Sequence, residues 1–209
     1  MPRAREPSRS ELLESERGEV RSEFGRLSAA LVFPNTYSVG MSNLAVHALY
    51  RMINGHPEFW CDRVFIWADG APRALETGRP PADFDVVALS VSYELDELNA
   101  VELLRRAGIP LRAEARGERD PLVVCGGVAA TLNPEPLAPF VDVFLLGEVE
   151  ETLPALLDAV AAPGDRDALL DEARRIAGCY VPSRDGEAPT PARHTCSSAQ
   201  AGCGPSRPS

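Results

Sequence analysis

Short apolar runs alternate with longer amphipathic stretches through the middle of the chain. Ala29–Pro34 (AALVFP), Arg63–Trp67 (RVFIW), Asp85–Val91 (DVVALSV), Leu122–Cys125 (LVVC) and Val141–Leu146 (VDVFLL) have strand length. Between them, Met41–Asn54 sets Leu44, Leu49, Met52 and Ile53 near helical spacing. Glu94–Ala107 reads as a helix stopped by Gly108 and Pro110, and a third helix runs from about Glu150 to Val160. Continuous apolar strands, each followed by a helix, predict a parallel sheet covered on both faces. The expected fold class is α/β: a doubly wound, flavodoxin/Rossmann-like five-stranded parallel sheet in the order 2-1-3-4-5. Residues 1–27 read as a polar leader with a short helix over Ser10–Phe24 and Ser10 as its cap. Residues 28–182 form the domain. Residues 183–209 carry Pro, Gly, Ser and Ala with almost no large apolar side chain, and read as a disordered tail.

Right-handed crossovers place the loops after strands one, three, four and five along one edge, where open parallel sheets bind ligands. Those loops are Asn35–Gly40, Ser90–Glu94, Gly126–Thr131 and Gly147–Glu151, all rich in Gly, Ser, Thr, Asn or acid. The candidate binding residues are therefore Asn35, Thr36, Tyr37, Gly40, Ser90, Ser92, Tyr93, Glu94, Gly126, Gly127, Gly147 and Glu148. Glycine lets a backbone approach a ligand closely, although the same glycines could simply turn the chain. Glu94 is placed either to face the cleft or to complement a helix dipole.

Composition narrows the classes. The 209 residues suit one domain with tails, and 44% hydrophobic with 25% charged residues is ordinary for a soluble fold. No apolar run approaches the ~18–20 residues of a membrane span, and the charged N-terminus lacks a signal-peptide core. A cytoplasmic, membrane-free protein is expected. All 21 basic residues are Arg, and residues 31–182 hold 12 Arg against 23 acids, a net of −11. That balance opposes a nucleic-acid platform. Five cysteines (Cys61, Cys125, Cys179, Cys196, Cys203) include no CxxC pair. The grouping of His194, Cys196 and Cys203 fits no zinc signature. His47 reads as a packed or surface residue and His56, in an NGHPEFW turn, as exposed. No metal site and no catalytic residue is assigned, because no acid/base pair, Ser-His-Asp set or Walker loop is present.

The segment LVFPNTYSVGMSNLAVHALYRMIN (Leu31–Asn54), followed in order by ETGRP, AGIPLR, GGVAATLNPEPL and GEVEE, resembles the N-terminal domain of cobalamin-binding-like radical SAM proteins. The likeness covers about four-fifths of the chain, from near Glu11 to near Ser183. It implies a Rossmann-like module of the cobalamin-binding-domain type. In that family a barrel follows, whose CxxxCxxC motif holds a [4Fe–4S] cluster that cleaves S-adenosylmethionine. This chain has no CxxxCxxC. The cluster and S-adenosylmethionine are thus expected only in a missing or separate radical SAM barrel, its implied partner. The expected chain is a truncated, frameshifted or split protein, and whether it is itself an enzyme stays open.

His-ligating cobalamin domains carry Asp-x-His-x-x-Gly after the first strand. Asn35 to Gly40 falls into that register, with Asn35 for the Asp and Tyr37 for the His. A phenol is a much poorer neutral cobalt ligand than an imidazole oriented by a carboxylate, so any cobalamin is expected not to be His-ligated. Ser90, Ser92, Gly126 and Gly127 match positions that contact the nucleotide tail, and Val149 replaces the second Gly of a GEGE-like turn. Three readings stand: an accessory domain binding cobalamin or substrate, a stand-alone small-molecule or nucleotide-binding module, and a non-functional fragment.

Overall fold

The computed structural model describes residues 7–17, 25–67 and 71–186. In chain order it contains α1 (Arg9–Ser15), β1 (Leu27–Val32), α2 (Tyr37–Met41), α3 (Leu44–Asn54), β2 (Phe59–Val64), β3 (Val86–Ser90), α4 (Leu95–Arg106), β4 (Leu122–Gly126), α5 (Val128–Leu132), β5 (Val143–Leu145), α6 (Thr152–Ala161), α7 (Arg166–Ala173), β6 (Cys179–Tyr180) and α8 (Pro182–Asp185). The sheet order is β2-β1-β3-β4-β5-β6. The first five strands are parallel. The expected order 2-1-3-4-5 is therefore present but incomplete. A sixth strand pairs antiparallel with β5 through Phe144↔Tyr180 and Leu145↔Cys179. Two residues carry no periodicity, so β6 leaves no pattern to read. Beyond β2, an isolated antiparallel bridge joins Val64 to Ala74.

Alternate strand residues feed two cores. Leu31, Val124, Val143 and Leu145 pack with α3 and α6 on one face. Val32, Val87, Leu89, Val123 and Cys125 pack with α4 and α5 on the other. Helix α4 follows its pattern closely: Ala100, Leu103 and Leu104 are buried, Asp96 and Glu97 open it, and Arg105 and Arg106 close it, as the helix dipole favours.

Several boundaries differ from expectation: the first strand is Leu27–Val32 rather than Ala29–Pro34, and the helix expected over Met41–Asn54 begins at Leu44, after the separate short α2. The second strand is Phe59–Val64 rather than Arg63–Trp67, because buried charges interrupt its apolar signal. Asp62 accepts from the Thr77 N–H at 3.1 Å. Arg63 donates to Glu76 and to Glu16, each at 2.6 Å. The ETGRP segment thus satisfies the charges of β2. Its Arg79 stacks over Trp60 and Phe84 at 5.2 and 4.8 Å. The first helix is Arg9–Ser15, and its cap is Ser8 rather than Ser10. The carboxylate of Glu11, three residues after Ser8, accepts the Ser8 N–H at 2.6 Å, completing a capping box. The described part of the leader is packed on the body, with Leu12 buried and Glu16 paired to Arg63. Of the expected tail, residues 183–185 continue α8, and 187–209, with His194, Cys196 and Cys203, lie outside the described residues.

At the N-terminal edge of the sheet, buried Arg116 binds Asp142 at 3.1 Å and the carbonyls of Pro110 and Phe140 at 2.9 Å. Asp142 also receives the Val123 N–H at 2.7 Å and Arg166 at 2.8 Å. This lattice anchors the end of the sheet opposite the candidate ligand edge.

Candidate functional site

A cavity of about 450 Å³ lies on the sheet face between α3 and α6, open toward the C-terminal edge. Leu31, Ala88, Ser90, Val124 and Leu145 form its floor. Ala45, Ala48, Leu49 and Met52 of α3 form one wall and Leu153 of α6 the other. The mouth is framed by Gly126, Gly127, Val128, Thr131 and Leu132 on one side and by Gly147, Glu148 and Glu150 on the other. Its volume falls in the ~300–1,000 Å³ range of small-molecule sites.

Local sequence explains the walls. Asn43 caps α3 by accepting the Ala45 N–H at 2.9 Å. Helix α3 then buries Val46, Tyr50 and Ile53 as one stripe. A second stripe, Ala45, Ala48, Leu49 and Met52, repeats at helical i, i+3, i+4, i+7 spacing and faces the cavity. Two alanines in that stripe keep the wall back from the floor. Gly127 sits at φ 108°, and a side chain there would meet the Val91 carbonyl oxygen at 2.4 Å. The loops after β3 and β4 therefore pack backbone on backbone, tied further by the Ala129 N–H to Val91 O at 3.2 Å. The Gly147 N–H donates to the Thr131 hydroxyl at 3.2 Å, joining the mouth's two sides.

Of the sequence-derived candidates, Ser90, Gly126, Gly127, Gly147 and Glu148 converge on this cavity. The others lie on the same edge without lining it. Asn35 donates to Asp96 at 2.9 Å and accepts the Thr36 N–H at 2.8 Å. Asn99 donates to the Pro34 carbonyl at 3.1 Å, and Asn43 to Ser92 at 3.0 Å. These links zip the notch between β1 and β3, which is the point where the strand order reverses. The Asp96 Oδ2 is buried there without a hydrogen-bond partner. Tyr93 and Glu94 are exposed at the head of α4, and Thr36 is exposed before α2, where its side chain makes no capping bond.

Tyr37, in the register of a cobalt-ligating His, turns elsewhere. Its hydroxyl donates to Glu16 at 2.7 Å, and its ring meets Phe65 edge-on at 5.3 Å. Gly40 is the buried residue within α2, where a side chain would meet the Phe65 ring at 2.3 Å. Burial, reinforced by the hydrogen bond to Glu16, pushes the Tyr37 phenol up to about 12 from its ordinary 10.0. A raised phenol keeps its proton in the folded chain while the unfolded chain releases it, so its share of stability is lost as pH rises from 10 through 12. Tyr37→Phe is expected to flatten that alkaline loss in pH-dependent urea melts and to remove one late phenolate step, near pH 12, from an ultraviolet titration. An unchanged profile would contradict the assignment.

The edge is acidic. The loops and helix starts at 33–43, 91–98, 127–133 and 146–151 hold Glu94, Asp96, Glu97, Glu148, Glu150 and Glu151 and no Arg, Lys or His. Burial, and then neighbouring Glu94, push the Glu97 carboxyl up. The described cysteines stand apart on β2, β4 and β6, all free and buried. Burial raises the thiols of Cys61 and Cys125, and that of Cys179 to about 12. They therefore stay protonated rather than available as thiolate ligands. Among the described residues, no group of three or more His, Cys, Asp or Glu is arranged to hold a metal ion, and no helix is long and apolar enough to cross a membrane. His47 bonds the Met41 carbonyl at 2.9 Å. His56, expected to be exposed, is instead 10% exposed, packed edge-on against Phe59 and 3.1 Å from Asp158. Its turn folds back onto α6.

A family model described as the N-terminal region of radical SAM proteins matches residues 45–182, from the cavity-facing stripe of α3 to the start of α8. An uncharacterized protein of Methanocaldococcus jannaschii is 28% identical over 123 residues, which is 59% of this chain and 24% of that protein. The matched part thus spans about a quarter of that relative's length. No solved structure matches the chain.

Proposed function

The chain belongs to the family of radical SAM N-terminal domains, and from that premise we propose that it is an accessory ligand-binding domain. It presents the cavity between α3 and α6 to cobalamin, or to a substrate of similar apolar character. The observation that carries this reading is the cavity itself: an apolar floor and walls beneath glycine-lined loops, at the edge where wound sheets hold ligands.

The donor set fits cobalamin in one form. Tyr37 is committed to Glu16, so cobalamin would be held by the cavity's own lining, Ser90, the Gly126–Gly127 backbone and the apolar wall, rather than by Tyr37. The apolar stripe of α3 with Leu153 would enclose an aromatic base. Ser90 and the Gly126–Gly127 backbone would meet its polar periphery. When bound, cobalamin would supply a cobalt-carried group for radical chemistry performed elsewhere. That chemistry, with its [4Fe–4S] cluster and S-adenosylmethionine, is assigned to a radical SAM barrel as partner domain. A free nucleotide is the poorer occupant, because the lining has carboxylates at the mouth and no cationic side chain to neutralise phosphates.

The test is uptake of hydroxocobalamin by the purified chain, followed by gel filtration and visible absorbance, with ATP, NAD and FMN as competitors. Co-eluting corrin that the nucleotides do not displace is expected. Ala48→Trp, at an exposed position of the cavity wall, is expected to fill the space and weaken uptake about tenfold or more, about 1.4 kcal/mol, with the circular dichroism unchanged. Nucleotide binding without corrin uptake would overturn the proposal in favour of a nucleotide-binding module.

A further inference from the structure

Six large apolar side chains of the described residues are more than half exposed: Leu44, Tyr93, Leu95, Leu98, Val128 and Leu132. Single exposed apolar residues are ordinary on a soluble protein, but a grouped set marks a contact surface. All six lie just after β1, β3 and β4, three adjacent parallel strands, so they share the C-terminal edge. Their carriers touch one another there. Asn43, which caps the helix of Leu44, reaches Ser92 beside Tyr93. Ala129, beside Val128, bonds the Val91 carbonyl. Among the described residues the opposite edge carries no such set, and Arg116, Asp142 and Arg166 are bound together there.

From this arrangement we infer that the C-terminal edge is a docking face for a protein domain whose own surface is apolar and ringed by arginine or lysine. The charge of the edge selects that occupant. Glu94, Glu97, Glu148, Glu150 and Glu151 border the apolar residues, and the same segments hold no cation. A second copy would bring the same carboxylates face to face on a chain of formal net charge −10, and an anionic surface would be repelled likewise. The inference deepens the ligand-site reading by naming the surface chemistry of the partner. Leu44 and Leu98 lie outside the cavity lining, so docking and ligand uptake are separable.

The test uses the full chain and two synthetic amphipathic helices of equal length. They share a leucine face, and the other face is arginine in one and glutamate in the other. Fluorescence anisotropy is expected to show binding of the arginine helix and none of the glutamate helix. Replacing the two exposed leucines (Leu44→Ser with Leu98→Ser) is expected to weaken the arginine helix about tenfold while leaving circular dichroism and hydroxocobalamin uptake unchanged. Because the net charge of that variant is the same, the loss reports the apolar face rather than general attraction. Absence of binding, equal binding of both helices, or undiminished binding by the double variant would overturn the inference. So would a dimer that the double variant dissolves, which would make a second copy the occupant. Corrin uptake without helix binding sinks the docking face alone, and helix binding without corrin uptake sinks the ligand reading alone.

Discussion

Gly127→Ala is expected to lower the unfolding free energy by about 3 kcal/mol and the thermal midpoint by about 6–12 °C. Two costs combine. A non-glycine residue at φ 108° is strained, and its Cβ would meet backbone rather than a side-chain tip: Val91 O at 2.4 Å, its carbon at 2.9 Å and its nitrogen at 3.0 Å. Backbone cannot swing aside as a rotamer does, so the loops after β3 and β4 must separate. The mouth of the cavity would widen, and hydroxocobalamin uptake would fall with stability. Gly108→Ala is the control. It also has a positive φ, 76°, but nothing lies within 4 Å of the added carbon, so a loss of about 1 kcal/mol is expected. Equal losses in the two variants would show that the packing of Gly127 on Val91 does not matter. Urea melts on the three proteins make the comparison.

Arg63→Ala is expected to cost about 3–5 kcal/mol, the range for removing one partner of a buried ionic network. The Arg63 side chain is 1% exposed and lies between Glu16 and Glu76, themselves 10% and 7% exposed. The Tyr50 ring stacks 4.7 Å from the guanidinium. Burial works against the Arg63 charge, but the two carboxylates more than offset it and hold the group protonated. Burial pushes the Glu76 carboxyl up, with Arg63 only partly restraining it. Once Arg63 is gone, that carboxyl rises further. A raised carboxyl contributes its stability while protonated and loses it as pH climbs through its folded value. The Arg63→Ala deficit should therefore be larger at about pH 7 than at about pH 5. Replacing the whole network (Arg63→Met, Glu16→Gln, Glu76→Gln) should recover most of the loss, since well-packed uncharged substitutes often match a buried ion cluster. A deficit that is independent of pH and not rescued would show that Arg63 acts by volume alone.

The Arg63 cluster also marks the line between what is legible in the residues and what is not. Helix α4 could be read because its apolar positions, end charges and Gly108–Pro110 stop all agree. The parallel order β2-β1-β3-β4-β5 followed from apolar runs and handedness. The apolar pattern sets strand β2 too late, because Asp62 and Arg63 are buried by partners distant in sequence, Thr77, Glu76 and Glu16. A local hydrophobic pattern holds no trace of such pairs. At the candidate ligand edge, the topological rule points to Ser90, Gly126, Gly127, Gly147 and Glu148, which line the cavity. It could not separate them from Asn35, Tyr37 or Ser92, whose side chains are engaged across loops. The wall of α3 is hidden for a different reason. Ala45 and Ala48 look like filler, yet a helix with apolar residues on two faces has one face unaccounted for. That second stripe was the available signal.

The sheet ends on a two-residue antiparallel strand at one side and on the Val64–Ala74 bridge at the other. Unpaired strand backbone is the template on which proteins polymerise into fibrils, and short or bridged rims remove it. Concentrated solutions of this protein are therefore expected to resist amyloid-type growth. Severing the Phe144–Tyr180 pairing, rather than loosening the C-terminal edge, is the change that would expose a template.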